Sequence, residues 1–176
     1  MTRKQHVIIF EGCDKVGKTE MAKELSKRLQ IPYFKNKNEW SAFENDKDYF
    51  VNALKYADPF FFSFLNDTKT SVILDRSYPS EWVYSRVYSR KTDENMLRSI
   101  DDYVSINIQA KIIVPYRTSY VGMRDNVHDI NSEKLQELSD LYKDFCAWTS
   151  CKTLRFCIDS EDIEYEMKSI IEFLGE

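Results

Sequence analysis

Four apolar residues, Val7-Ile8-Ile9-Phe10, end at Glu11; Gly12 follows directly, then four residues, then Gly17-Lys18-Thr19. This stretch constrains the fold more than any other. A short apolar run without alternation reads as a strand covered on both faces. Met21, Leu25 and Leu29, each four apart, give the next segment the apolar stripe of a helix. A glycine-bounded turn between strand and helix points successive backbone N–H groups inward, and the positive end of the helix adds to their pull on phosphate oxygens. The pattern is that of a P-loop, with Gly12, Cys13, Asp14, Lys15, Val16, Gly17, Lys18 and Thr19 as the cradle. In such a loop the lysine, here Lys18, reaches the terminal phosphates, and the hydroxyl, here Thr19, ligates magnesium. The chain has only four glycines, and two of them stand at the fixed positions of this motif, which counts against an accidental helix start.

Strand candidates recur at 6–11, 32–35, 71–75, 110–116 and 154–158, separated by helical patterns at 18–29, 46–65, 80–89, 93–107, 132–148 and 163–174. Such alternation predicts an α/β chain with a parallel sheet and right-handed crossovers. No repeat, low-complexity tract or Gly/Ser linker interrupts it, so residues 1–176 are expected to form one domain. The formal net charge of −4 argues against a duplex-binding surface, which needs basic residues to displace counterions. No apolar run approaches the roughly 18 residues of a membrane span, and the amino-terminal run is too short for a signal peptide, so the expected location is cytoplasmic. Cys13, Cys146, Cys151 and Cys157 show no C-x-x-C pairing and read as buried free thiols. The aromatic run 59–64 reads as core packing, with a ring or two left to line a cleft.

In open α/β sheets ligands gather at the carboxyl ends of the strands, so the residues just beyond each strand carry the search. Asp75 ends the third strand, where a P-loop protein needs a carboxylate for magnesium or its water shell. Arg76 beside it carries a planar guanidinium suited to two phosphate oxygens. A local Asp–Arg ion pair is the plainer alternative, but beside a P-loop the phosphate role is favoured. Phosphoryl transfer needs positive charge around the moving group and exclusion of water. Segment 116–131, read as a short lid, offers Arg117 and Arg124 for this, and Lys15 is a third candidate. Glu11 is suited either to taking a proton from a hydroxyl acceptor or to hydrogen bonding with nearby backbone. ATP and Mg2+ are the cofactors this set calls for.

These residues resemble a family. FEGCDKVGKT, from Phe10, is similar to the P-loop of thymidylate kinases, of the form EGxDxxGKST, including Asp14, the acidic residue that there contacts the acceptor sugar. LDRSYPSEWVY is similar to that family's DRYxxSSxAYQ, with Asp75, Arg76, Ser80 and Tyr84 in register. IDSEDIEYEM, from Ile158, resembles the IDAxxxIEEV segment that lies by the adenine of ATP, and Tyr142 falls on the helix that follows the lid. Lys35 stands where the family carries a phosphate-binding arginine. The resemblance implies a P-loop kinase fold: a five-stranded parallel sheet with helices on both faces and a short lid. It also implies transfer of the ATP γ-phosphate to a deoxynucleoside monophosphate, dTMP or a related pyrimidine nucleotide first. Lys18, Thr19 and Asp75 would hold MgATP; Lys15, Arg117 and Arg124 would stabilise the transition state; Asp14, Lys35, Arg76, Ser80 and Tyr84 would seat the acceptor. The partner implied is a small nucleotide, with neither duplex nucleic acid nor membrane, and the family's common dimers extend the resemblance to a homodimer.

The chain departs from the pattern in places. Ser77 replaces the tyrosine of DRY, Glu81 its second serine and Ser85 its glutamine, which brings DRSYPSE close to the ERSxYSD motif of deoxynucleoside kinases. Ala57-Asp58-Pro59-Phe60 stands where the ADRxQ segment reads the base. A second reading follows, in which a hydroxyl of a deoxynucleoside, a hydroxymethylated pyrimidine or a polynucleotide end is the acceptor and Glu11 the general base. A third is a nucleotide-binding protein without catalysis.

Overall fold

The computed structural model describes residues 4–35, 56–124 and 130–175. Strand β1 (Val7–Phe10) is buried at every residue, which is what its unbroken apolar run requires. Helix α1 (Lys18–Leu29) follows, burying Lys18, Met21, Ala22 and Leu25 on one face. Then come β2 (Tyr33–Lys35), α2 (Asp58–Thr68), β3 (Val72–Asp75), α3 (Tyr78–Val87), α4 (Glu94–Tyr103), β4 (Lys111–Tyr116), α5 (Ser132–Trp148), β5 (Lys152–Cys157) and α6 (Ile163–Leu174). The strands form one five-stranded sheet in the order β2-β3-β1-β4-β5, and every pairing is parallel.

This order decides which face each helix takes. The step from β1 to β2 runs toward one edge of the sheet, whereas the steps from β2 to β3, from β3 to β4 and from β4 to β5 run toward the other. Right-handed crossovers therefore put α1 on one face and α2 through α5 on the opposite one. The contacts agree: α1 packs on β3 and α6, while α3 packs on α5 and on α4. Between β1 and β3 the connections diverge to opposite faces, and that switch point is where an open sheet binds its ligand. The register pairs Phe10 with Asp75, so the loops leaving the two strands start side by side. The Arg76 N–H donates to the Phe10 carbonyl at 3.0 Å, and the Glu11 N–H to the Ile113 carbonyl at 2.9 Å, extending the ladder past the strand ends.

Some boundaries differ from the sequence expectation for identifiable reasons. Helix α3 begins at Tyr78 rather than Ser80, because Pro79 sits in its first turn, where a missing N–H costs nothing. β5 begins at Lys152 because it pairs with β4 along its whole length, from Lys111↔Lys152 to Tyr116↔Cys157. The predicted helix 93–107 is α4 followed by one π turn, Val104–Ile108. Of the predicted helix 46–65, residues 46–55 lie outside the described residues, residues 56–57 are π-helical, and α2 runs on from Asp58 to Thr68. No helix of the described residues is long and apolar enough to cross a membrane.

Gly12 is the joint between sheet and loop. Its φ is +136°, and a Cβ there would meet the Pro115 carbonyl oxygen at 3.0 Å, backbone that cannot swing away. Gly12→Ala is expected to lower the unfolding free energy by about 2 kcal/mol or more. Chemical denaturation checks this, and unchanged stability would contradict the close approach.

Candidate active site

The half of the site that would hold the donor phosphates is built by the turn after β1 and the first residues of α1. Lys15 and Gly17 have left-handed backbone, with φ of 68° and 65°, which turns the chain tightly enough to form the loop. Lys18 is buried, and its ammonium donates to the loop's own carbonyl at Cys13 at 2.5 Å. Burial pushes its pKa down to about 8, with the nearby charge of Arg76 adding to the effect. Beside it Thr19 Oγ1 donates to Asp75 Oδ2 at 2.6 Å, and Tyr33 Oη donates to the same oxygen at 2.9 Å. Asp75 is almost fully buried. Because the Thr19 proton is committed to Asp75, that hydroxyl presents lone pairs outward, one of them toward the Lys35 ammonium, where a cation can approach. A carboxylate and a hydroxyl, both hard oxygens, at the entry of a phosphate loop fit magnesium, and Thr19 and Asp75 would hold it or its waters. Such an ion would neutralise phosphate charge during transfer.

The second half of the site is organised around Arg76. Its backbone is left-handed, φ 75°, an unfavourable state for a residue with a Cβ that the bond to Phe10 helps hold. The guanidinium donates to Asp14 Oδ1 at 2.7 Å, to Tyr142 Oη at 3.2 Å and to Ser80 Oγ at 3.3 Å. It lies 5.2 Å from the centre of the Tyr84 ring, and Tyr84 Oη donates to the other Asp14 oxygen at 3.3 Å. Glu11 is fully buried beside this group. One of its oxygens accepts from the Ser77 N–H at 2.6 Å, the other from Ser80 Oγ at 2.8 Å and Tyr142 Oη at 2.9 Å. Burial raises its pKa, while Arg76 and these three donors oppose the rise. Asp58, in the first turn of α2, has its carboxyl pushed up to about 7 by burial, with the charge of Glu11 adding to the shift.

Over the first half of the site, the turn after β4 meets the P-loop. Arg117 Nε donates to the Lys15 carbonyl at 3.0 Å and Nη2 to Glu161 at 2.9 Å. Tyr120 Oη accepts from the Arg117 N–H at 3.1 Å and from the Cys13 thiol at 3.0 Å. Thr118 hydrogen-bonds through both its N–H and its hydroxyl to Asp159. The side chains of Lys15 and Arg124 are exposed, and residues 125–129 of the expected lid lie outside the described residues.

The sequence-derived set is thus largely gathered at one end of the sheet. Gly12, Cys13, Asp14, Val16, Gly17, Lys18, Thr19, Asp75, Arg76, Ser80, Tyr84 and Glu11 converge there, as does Arg117. Lys35 joins the other half from the one expected: its ammonium lies 3.7 Å from Asp75 Oδ2 and 3.4 Å from Thr19 Oγ1, on the Thr19–Asp75 side. Glu81 is buried in an ion pair with Arg90 at 2.5 Å, so it braces α3. Of the run 59–64, Phe62 is core, packed edge-on against Tyr78, and Phe61 stacks on Phe34 at 5.9 Å. Phe60 is 75% exposed and Phe64 is also exposed, which core packing did not anticipate. The four thiols are unpaired; Cys13 and Cys151 are buried, Cys146 and Cys157 half-buried. Sequence reasoning missed Tyr33 and Tyr120 and gave Tyr142 no role. Nothing local distinguishes them among eleven tyrosines.

The strand order, the P-loop and the Asp75-Arg76 corner define the fold of P-loop nucleoside and nucleotide kinases. Among solved structures the chain is similar to the YorR protein of Bacillus subtilis in complex with phosphorylated GDP, with TM-score 0.71 and 23% identity over 96% of this chain and 95% of that one. It is similar to deoxyadenosine kinase from M. mycoides with the products dCMP and a flexible dCDP bound, with TM-score 0.55 and 20% identity over 96% and 98%. It is also similar to thymidylate kinase from Ehrlichia chaffeensis, with TM-score 0.57 and 16% identity over 99% and 100%. No family model and no curated protein matches the sequence.

The buried amine of Lys18 gives the nucleotide-free protein a pH signature. Its folded pKa of about 8 lies below the ordinary lysine value of 10.5. Between those values the unfolded chain binds more protons than the folded one, so stability rises with pH across that window. Below about pH 8 the fold carries the full cost of the buried charge. Wild type is therefore expected to gain stability relative to Lys18→Met as pH rises from about 8 to 10.5, measured by denaturant unfolding of both proteins. A constant difference would contradict the assignment.

Proposed function

We propose that this protein transfers the γ-phosphate of MgATP to a deoxynucleoside monophosphate, dTMP or a related pyrimidine nucleotide being the first acceptor to consider. The observation that carries the reading is the pairing of two half-sites across neighbouring strands: Lys18 and the Thr19–Asp75 bond at 2.6 Å on one side, the Arg76–Asp14 pair at 2.7 Å on the other. The solved kinases of the same fold support the reaction class. One of them is a thymidylate kinase, and another is a deoxyadenosine kinase solved with the products dCMP and a flexible dCDP bound.

Catalysis would be positioning and electrostatics, with no covalent intermediate. The loop N–H groups and Lys18 would hold the donor phosphates, while Arg76 would turn from Asp14 to the acceptor phosphate. That exchange swaps one anionic partner for another, so the arginine never loses its charge pairing. Asp14, released, would be free for the acceptor sugar. Tyr84 and Ser80 would line the path, and Arg124 would come from the lid.

One observation favours a second reading, with a hydroxyl acceptor. Glu11 is a buried carboxylate with a raised pKa beside Arg76, the environment of a general base. Against it, both Glu11 oxygens already accept bonds that brace the 77–80 turn and Tyr142, a role sufficient in itself.

Arg76→Ala separates the two. For a monophosphate kinase it should lower kcat/KM for dTMP by at least about 100-fold, the scale of losing one preorganised charge at the reacting group. Turnover of thymidine should be weak in both proteins. If wild type phosphorylates thymidine well and dTMP poorly, or if Arg76→Ala leaves dTMP turnover unchanged, the monophosphate reading fails.

A further inference from the structure

Arg117 grips the P-loop from outside. In a trans peptide the carbonyl and the following N–H point opposite ways, and no peptide among the described residues is cis. In a loop whose N–H groups face inward to hold phosphate, the Val16 N–H turns into the cradle and the Lys15 carbonyl, which accepts Arg117 Nε at 3.0 Å, turns away from it. The arginine is fixed at three points: its N–H on Tyr120 Oη, Nε on Lys15 and Nη2 on Glu161. Its side chain is only 16% exposed, whereas that of Glu161 is 71% exposed. Glu161 also holds a left-handed backbone, φ 52°, in the turn after β5, a conformation that glycine adopts more easily. An exposed ion pair of this kind contributes little to stability, so the fold itself gives little reason for a glutamate at this position.

Sheet order says which part of a nucleotide this pair would meet. Arg76 and Lys35 come from β3 and β2, on one side of β1, and Arg117 and Glu161 come from β4 and β5, on the other. A donor whose terminal phosphate faces Arg76 must extend its sugar and base over β4 and β5. Arg117 is then a donor-binding group away from the transferred phosphoryl, and not the transition-state arginine its place in the sequence implies.

We infer that Glu161 is a positioning residue: with the Lys15 carbonyl it locks the Arg117 guanidinium into the donor site, and the pair sets affinity for the nucleoside triphosphate while leaving the rate of transfer alone. The inference rests on the kinase reading only in taking MgATP as the donor.

A thermodynamic cycle tests it without any acceptor. Dissociation constants of the magnesium complex of a non-hydrolysable ATP analogue are measured by calorimetry for wild type, Glu161→Gln, Arg117→Gln and the double variant. If Glu161 acts through Arg117, each single variant should bind about 5- to 20-fold more weakly, and the double no more weakly than Arg117→Gln alone. In the transfer assay Glu161→Gln should raise the KM for MgATP by a similar factor while kcat stays within about twofold. Its melting temperature without nucleotide should fall by no more than about 3 °C, which separates positioning from a folding defect. Additive losses in the double variant, or a fall in kcat at unchanged affinity, would overturn the inference. If wild type binds the analogue but phosphorylates no acceptor, the kinase reading fails while the cycle still decides the role of Glu161. If wild type does not bind the analogue, both are overturned.

Discussion

The parallel pairing of β1 with β3, in the register that sets Phe10 opposite Asp75, is the constraint on which the site depends. Both strands are buried throughout and apolar on both faces except at Asp75, so a slip of one residue would draw that carboxylate into the apolar interior or carry it away from the loop. Given the register, Thr19 and Asp75 meet, Arg76 bonds back to Phe10, and Glu11 lies under the turn that starts α3. The apolar interior of the sheet thus sets the distances of a polar site at its edge. That is cheaper than holding each charge separately, because the central strands are rigid for reasons of their own.

The site keeps its charges in compensated pairs. Lys18 rests on a carbonyl, Arg76 on Asp14, Asp75 on two hydroxyls, and Glu11 on three donors. Each buried charge would be expensive alone, and each has a partner that a phosphate, a sugar hydroxyl or a magnesium ion can replace. Binding then exchanges partners without uncovering bare charge, and the left-handed turns at Lys15 and Arg76 store the backbone strain that keeps the groups aimed.

The P-loop and the Asp75-Arg76 corner were legible in the sequence because their chemistry is local: fixed spacing, glycines in a glycine-poor chain, a carboxylate ending an apolar strand. The limits of α1, α5 and α6 were legible too, from apolar periodicity. Tyr33 and Tyr142 were not, since their work depends on β2 and α5 bringing a hydroxyl to a carboxylate far along the chain. Lys35 illustrates the same limit: it ends β2, as the strand candidate 32–35 has it, but only the pairing of β2 with β3 shows that it faces Asp75. Glu81, whose match to a kinase motif pointed at the acceptor, is held by Arg90, a partner that spacing along the chain did not single out.

The account stands or falls on what accepts the phosphate. The most direct measurement is ADP release with MgATP against the four deoxynucleoside monophosphates, dUMP, and the matching nucleosides, with the product identified by mass. Turnover is expected on monophosphates alone, each yielding its diphosphate. Turnover on nucleosides alone, or on none of them, would contradict the monophosphate reading.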